Sequence, residues 1–261
     1  MNIYDEYDII IEGGQSNAEG AGIGPVSKFE PFRRSSEILY LTGEIKTTWD
    51  EEGVHVEYPN HDFTIEIADE RPSDDKIYSD FSLAFAQDYI KNGLLKSGRK
   101  LLIIRAAVGA TSFYRNQWGL KGSVYAKMIE MIDYAIGLNS KNKIVAFLWH
   151  QGEGDTGHLA PNVYKQCLKD TLNDVRNRYG VMPFVAANFV PEWIEGHLEN
   201  CQGMAKAYRE FIAETSKAVF VESDGLMSNN QKLGNGDKIH FCRESLYELG
   251  HRYYDAFSRI R

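Results

Sequence analysis

Apolar runs and amphipathic stretches alternate along the chain from Ser79 onward. KLLIIRAA (100–107) and KIVAFLWH (143–150) are almost continuously apolar, which is typical of strands buried on both faces of a sheet. Between such runs, apolar residues recur at helical spacing, and this alternation indicates a parallel sheet with helices on both faces. The pattern predicts five parallel strands beginning near residues 7, 100, 143, 182 and 218, and helices over 79–93, 123–137, 161–180, 199–217 and 243–260.

Residues 42–75 precede this alternation and have a different pattern. Short strand-like pieces such as HVEYP and FTIEI alternate there with acidic and turn residues. We therefore expect an insertion that carries a hairpin near the mouth of a site, within an otherwise single α/β domain over residues 1–261. Loops over strand ends commonly determine what a site binds, so this insertion is expected to contribute to specificity.

The composition fits one compact domain. The 261 residues are 43% hydrophobic and 12% aromatic, which is enough to fill a sizeable core. The net charge of −8 argues against a nucleic-acid or anionic-membrane surface and suits an enzyme with a neutral or small substrate. Three widely spaced cysteines provide no disulfide framework or CxxC metal motif. An acidic N-terminus without an apolar signal region predicts a cytoplasmic protein, and no apolar run approaches the ~18 residues of a membrane span.

The stretch IIIEGGQSNAEG (9–20) places Ser16 at the point where the first predicted strand ends. Two glycines follow the apolar run, and they allow the backbone to turn sharply and to pass close to a bound group. Open α/β sheets bind their ligands outside the carboxyl ends of the strands, so Ser16 is a candidate nucleophile. A second interpretation is that Ser16 caps a short helix whose first turn carries Glu19, as in a capping box.

Polar residues also follow three other predicted strands. The loop after the second strand holds Gly109 and Thr111, the loop after the third holds Gln151, Glu153 and Asp155, and a long polar loop after the fifth holds Asp237 and His240. Because parallel strands end at one edge of the sheet, we expect these loops to meet there. A serine, a histidine, a carboxylate and oxyanion donors on one face are the components of nucleophilic acyl transfer.

Four blocks carry a resemblance to a known family: GQSN (14–17), the glycine of AAVGATSF at 109, WHQGEGD (149–155) and DKIH (237–240). In this order they resemble the SGNH hydrolases, and within them the branch of sialate O-acetylesterases and acetylxylan esterases. The resemblance spans nearly the whole chain. It implies a flavodoxin-like three-layer α/β/α sandwich and a carbohydrate O-acetylesterase that works without a metal or cofactor.

The resemblance also implies roles for the candidate residues. Ser16 is then the nucleophile and His240 the general base, while the N–H groups of Ser16 and Gly109, with the Gln151 side chain, form the oxyanion hole. Further contacts to the substrate are expected from Asn17, Thr111 and Trp118. The expected partner is a small acetylated carbohydrate of the xylan or sialic acid type, with no role for nucleic acid or membrane; the oligomeric state stays open.

Two acids are candidates for orienting His240. Asp237 lies three residues earlier, so a tight turn can bring its carboxylate to Nδ1 while Nε2 faces Ser16. Glu153 lies at a neighbouring strand end; it can reach the same imidazole, as the resemblance to some acetylxylan esterases implies, or instead hold the loop backbone. We favour Asp237, because proximity in sequence requires less ordering of the loops.

Two other functions are compatible with parts of the sequence. A divalent metal would suit the residue types of the 150–158 loop, but it would leave Ser16 and the DKIH block unexplained. The candidate ligands are His150, Glu153, Asp155 and His158. A non-catalytic carbohydrate-binding domain would use exposed aromatic side chains instead. The candidates for that platform are Trp118, Trp149 and Trp193.

Overall fold

The structure, a computed structural model, describes residues 5–25, 32–73 and 76–261. Within these residues the strands are β1 (Glu6–Gly14), β2 (Gly22–Pro25), β3 (Ile38–Gly43), β4 (Lys46–Asp50), β5 (Gly53–Glu57), β6 (Phe63–Ile67), β7 (Arg71–Ser73), β8 (Lys76–Ser79), β9 (Arg99–Arg105), β10 (Lys143–His150), β11 (Phe184–Ala187) and β12 (Ala218–Val221). The helices are α1 (Ser16–Glu19), α2 (Ser82–Lys91), α3 (Ser123–Gly137), α4 (Pro161–Tyr179), α5 (Pro191–Gly196), α6 (Leu198–Ala213) and α7 (Arg243–Ser258).

Seven of the described strands form the central sheet, in the order β12-β11-β10-β1-β9-β3-β6. The five strands predicted from the sequence are β1, β9, β10, β11 and β12, and all of them pair in parallel. Their spatial order is the flavodoxin-like 2-1-3-4-5, with β1 at the switch point. The predicted fold class is therefore confirmed.

The segment around 42–75 is only partly an insertion. β3, which begins before it, is a sixth parallel strand that pairs with β9, and β6 extends the same sheet as an antiparallel edge strand. The hairpin β4–β5 forms a separate two-stranded sheet, as expected for an insertion. The buried run ILYL of β3 had the pattern of a core strand, but the acidic and turn residues that follow it obscured this. Residues 74–75 lie outside the described residues.

Helices cover the sheet and enclose one contiguous apolar core. α2 packs against α7, α4 packs against α6, and α3 packs on β1, β3 and β9. None of the helices within residues 5–25, 32–73 and 76–261 combines the length and apolar character needed to cross a membrane.

The turn at the end of β1 requires glycine. Gly14 has φ +136°, and a Cβ on it would lie 2.0 Å from the carbonyl oxygen of His150 on the neighbouring strand β10. The N–H of Gln15 donates to that same carbonyl at 3.0 Å. Close contact between β1 and β10 therefore leads directly into α1 and brings Ser16 to the carboxyl edge of the sheet.

Candidate active site

Ser16, His240 and Asp237 form a hydrogen-bonded series at this edge of the sheet. Nε2 of His240 lies 2.7 Å from Oγ of Ser16, and Nδ1 of His240 is in hydrogen-bond contact with Oδ2 of Asp237. The side chains of His240 and Asp237 are about one-fifth exposed, at 23% and 22%, so a substrate can approach them. The arrangement fits an imidazole that donates from Nδ1 to the carboxylate and accepts from the serine at Nε2.

The loop itself holds Asp237 in place. Oδ1 of Asp237 accepts hydrogen bonds from the backbone N–H groups of Ile239, at 2.8 Å, and His240, at 3.2 Å. A turn of three residues thus fixes the carboxylate and the imidazole relative to each other, as expected of two residues so close in sequence.

Glu153 contacts Asn17 and His150. Its Oε1 accepts from Nδ2 of Asn17 at 2.7 Å and lies 3.4 Å from Nε2 of His150. Burial alone would raise the pKa of the Glu153 carboxyl, but the nearby His150 imidazole and the hydrogen bond from Asn17 lower it below its ordinary value. Asn17 in turn donates to the carbonyl of Ile239 at 3.1 Å and accepts from the N–H of Phe241 at 3.0 Å. Glu153 therefore holds the backbone on both sides of His240 through Asn17.

Gly109 lies beside Ser16, and its N–H is already engaged. It donates to Oε2 of Glu19 at 2.9 Å. A Cβ added to Gly109 would lie 2.9 Å from the same oxygen and 3.7 Å from Cβ of Ser16.

The capping-box interpretation is wrong, because α1 begins at Ser16 itself, has no side-chain cap, and directs Glu19 to Gly109.

Gln151 is hydrogen-bonded inside the protein in this structure. Its side chain is fully buried, and Nε2 donates to Oδ2 of Asp155 at 2.6 Å, with longer contacts to Gln15 and the carbonyl of Thr111. Its Oε1 accepts from the hydroxyl of Tyr164 at 3.0 Å. These hydrogen bonds hold the loop after β10, and the role of Gln151 as an oxyanion donor stays a prediction.

The three side chains expected to contact the substrate are also buried. Asn17, Thr111 and Trp118 are each 0% exposed. Thr111 donates to the carbonyl of Val108 at 2.6 Å and accepts from Nε1 of Trp118 at 2.9 Å, while Asn17 is occupied by the contacts described above. These polar groups hydrogen-bond to other groups inside the protein, and a role of the three residues in binding substrate stays a prediction.

The geometry does not favour the two other functions. The carboxylate of Asp155 accepts from the N–H groups of Phe113 and Tyr114, and His158 stacks on the Tyr114 ring. In the part of the chain that the structure describes, no group of three or more His, Cys, Asp or Glu side chains is arranged to hold a metal ion. The three tryptophans of the proposed aromatic platform are buried.

Several residues that hold the site were not predicted from the sequence. Oε1 of Gln15 accepts from the N–H groups of Gly152 and Gly154, at 3.3 and 3.1 Å. Arg71 and Arg105 both donate to the carbonyl oxygen of Glu19 at the end of α1. The polar run after Gly14 was a signal for Gln15, whereas the two arginines come from distant strands and carry no local signal.

A serine, a histidine and a carboxylate gathered at the switch point of a flavodoxin-like sheet are the arrangement of SGNH-type α/β hydrolases. The profile of one family, described as carbohydrate esterase, sialic acid-specific acetylesterase, matches residues 6–259. The chain belongs to this family and is a carboxylic ester hydrolase, which confirms the resemblance seen in the sequence. No curated protein sequence matches the chain.

Solved structures share the fold at low sequence identity. NanS superposes with a TM-score of 0.75 at 15% identity, over 98% of this chain and 97% of that one. A protein from Arabidopsis thaliana gives a TM-score of 0.66 at 18% identity, over 97% and 99% of the two chains. A carbohydrate acetylesterase from Xanthomonas citri gives 0.64 at 14% identity, over 97% of this chain but 56% of that one. At these identities the likeness concerns the fold.

Proposed function

We propose that this chain is a serine O-acetylesterase that removes acetyl groups from a carbohydrate through an acetyl-enzyme on Ser16. The observation that carries the proposal is the contact series Ser16 Oγ to His240 Nε2, at 2.7 Å, and His240 Nδ1 to Asp237. Family membership supports the acetylated carbohydrate as the substrate class.

Each of the three residues then has a defined task. Oγ of Ser16 attacks the acetyl carbonyl carbon as Nε2 of His240 takes its proton, and Asp237 stabilises the imidazolium through Nδ1. When the tetrahedral intermediate collapses, the C–O bond to the sugar breaks and His240 returns the proton to the sugar oxygen. A water molecule repeats the sequence on the acetyl-enzyme, which releases acetate and restores Ser16.

The N–H groups of Ser16 and Gly109 are the proposed donors to the oxyanion. Gly109 lies beside Ser16, and its N–H donates to a carboxylate oxygen of Glu19, so this N–H points toward an acceptor oxygen next to the serine. One such donor is typically worth about 2.7 to 4 kcal/mol in the transition state. Since the Gln151 amide is engaged elsewhere, it has no part in this proposal.

A polar groove lies between the β4–β5 hairpin and the loop after β9, with a volume of about 860 Å³. Its walls include Glu52, Arg115 and the half-exposed Tyr114, whose ring stacks on His158 with centroids 4.9 Å apart. Pockets that combine aromatic faces with a few polar groups are suited to small polar ligands such as sugars. None of the three proposed catalytic residues lines this groove, so a contribution of the hairpin to substrate specificity is a separate part of the proposal.

Replacing the nucleophile tests the mechanism. Ser16→Ala should lower turnover of p-nitrophenyl acetate by about 10⁶ and leave the melting temperature nearly unchanged, because the side chain is partly exposed and the substitution removes only its hydroxyl oxygen. Ser258→Ala, an exposed serine on α7, is the matched control and should keep full activity. A Ser16→Ala enzyme with more than about a tenth of wild-type turnover would exclude the serine mechanism.

Acetate release from a panel of sugars tests the substrate class. Wild-type enzyme should release acetate from at least one acetylated carbohydrate among O-acetylated xylo-oligosaccharides and O-acetylated sialic acid, and Ser16→Ala should release none. Hydrolysis of p-nitrophenyl acetate without acetate release from any acetylated sugar would contradict the carbohydrate assignment while leaving the serine mechanism intact.

A further inference from the structure

The carboxylate of Glu19 accepts one of the two N–H groups that the proposed reaction needs for its oxyanion. Oε2 of Glu19 accepts the N–H of Gly109 at 2.9 Å, and Gly109 is the proposed oxyanion donor next to Ser16. A carboxylate oxygen on this N–H resembles the negatively charged oxygen of the tetrahedral intermediate. The same N–H cannot serve Glu19 and a substrate oxyanion at full strength simultaneously.

The backbone of Glu19 is held firmly while its side chain is partly exposed. Arg71 donates to the carbonyl oxygens of Glu19, at 3.0 Å, and Gly20, at 2.6 Å, and Arg105 also donates to the carbonyl of Glu19. Gly20, with φ +98°, ends α1 at this point. The backbone of Glu19 is therefore fixed, and rotation of its side chain alone is enough to release the N–H of Gly109.

A cavity whose wall includes three cationic side chains lies next to Glu19. It has a volume of about 180 Å³, and Glu19 itself is part of its wall. Arg71, Arg105 and Lys127 contribute to the same wall. A carboxylate that leaves Gly109 can therefore turn toward positive charge rather than into an apolar surrounding.

We propose that Glu19 controls access to the oxyanion position: its carboxylate fills that position in the free enzyme, and the acyl carbonyl of the substrate must displace it. The proposal rests on the proposed function, because it takes Gly109 as the oxyanion donor. A site that is open for only about a tenth of the time binds its ligand about tenfold more weakly than an open one. Glu19 thus raises KM for acetyl esters and selects substrates that bind well enough to displace it.

Two variants distinguish the effect of the Glu19 carboxylate at the oxyanion position from the effect of its charge at a distance. Glu19→Ala removes the carboxylate, and Glu19→Asp keeps the charge but shortens the side chain by one methylene, so that it no longer reaches Gly109. With p-nitrophenyl acetate, both should lower KM by about tenfold and leave kcat within about twofold. Glu66→Ala, an exposed acid on β6, removes the same charge elsewhere and should leave both constants unchanged.

The kinetic constants of the two variants show whether Glu19 controls access to the oxyanion position or has another role. If Glu19→Asp behaves as wild type while Glu19→Ala does not, the charge acts at a distance and the proposal is overturned. An unchanged KM in both variants, or a lower kcat with unchanged KM, would overturn it as well, the latter because Glu19 would then position Gly109 for catalysis.

Acetate binding tests the same inference without turnover. Acetate is a free analogue of the Glu19 carboxylate, and calorimetry can measure its affinity for Ser16→Ala and for the double variant Ser16→Ala/Glu19→Asp. The double variant should bind acetate about tenfold more tightly. Equal affinities, or no binding to either protein, would overturn the inference. Full esterase activity of Ser16→Ala would instead refute the proposed function, so the two failures are distinguishable.

Discussion

Exchanging each candidate acid for its amide tests which one orients His240. Asp237→Asn and Glu153→Gln preserve the shape of the side chain and remove its charge. Of the two acids, Asp237 contacts the imidazole of His240, while Glu153 reaches the adjacent backbone through Asn17. The two substitutions should therefore have different effects on kcat.

The contacts set the expected magnitudes. Asn at 237 can present its oxygen either to the imidazole or to the N–H groups of Ile239 and His240, but not to all three as the carboxylate does. The favoured tautomer and the stabilised imidazolium are lost, which in triads costs up to about 10⁴ in kcat. That factor corresponds to about 5 kcal/mol in the transition state. Gln at 153 can still accept from Asn17, so kcat should fall by less than about tenfold, with a loss of stability of about 1 to 3 kcal/mol from the buried site.

The assay is hydrolysis of p-nitrophenyl acetate from about pH 5 to about pH 9, together with thermal melting of each variant. Asp255→Asn on the exposed face of α7 is the control for an Asp to Asn exchange. A loss of about a thousandfold for Glu153→Gln, with less than about tenfold for Asp237→Asn, would refute the reasoning and assign the triad to Glu153. Moderate losses that do not add in the double variant would show that the two acids support His240 as one unit, contrary to the separate roles inferred here.

Two further predictions concern stability. Gln151→Ala should lower the free energy of unfolding by about 1 to 3 kcal/mol in urea titrations, since it removes the side-chain hydrogen bond to the buried Asp155 carboxylate. A normal unfolding midpoint with a large loss of kcat would instead restore Gln151 as an oxyanion donor. Burial, with the charge of Asp80, raises the pKa of Glu12 well above its ordinary value, so the folded state loses stability as pH rises from that ordinary value toward the raised one. Glu12→Gln should remove this loss, and its advantage over wild type in calorimetric melts should grow from about pH 4 to about pH 8; an advantage independent of pH would contradict the assignment.

Hydrophobic patterning predicted the part of the fold whose strands are buried on both faces. β9 and β10 are long apolar runs, and α3 was predicted over residues 123–137, where it lies. β3 and β6 were not assigned to the central sheet. The apolar run of β3 was obscured by the acidic and turn residues that follow it, and the pairing of both strands depends on contacts between distant segments. Edge strands such as β6 also expose one face and carry polar residues there, which weakens the apolar signal.

In the candidate site, the positions of the loops could be predicted from the sequence, but the directions of their side chains could not. Ser16, Gly109 and His240 could be placed together from the sequence because each follows a parallel strand, and strand ends share one edge of the sheet. The direction of a side chain within a loop could not be predicted. Gln151 and Asn17 belong to the motifs that carry the family resemblance. Gln151 hydrogen-bonds to Asp155 and Tyr164. Asn17 hydrogen-bonds to Glu153 and to the backbone of the His240 loop.

Many of the polar side chains around Ser16 and His240 hold the two loops in position and do not react themselves. A nucleophile and a base that come from loops of different strands need their relative position fixed to within a fraction of an ångström, and loops alone are too mobile for that. Here Asn17 follows Ser16 in sequence and hydrogen-bonds to the backbone on both sides of His240, so one side chain links the loop of the proposed nucleophile to the loop of the proposed base. Glu153 holds Asn17 in turn, and the pKa of its carboxyl is lowered, which keeps it charged and able to accept that bond. The motif around Glu153 is therefore best interpreted as the support of the proposed catalytic pair, and its loss should misplace His240 even though it contacts no reacting atom.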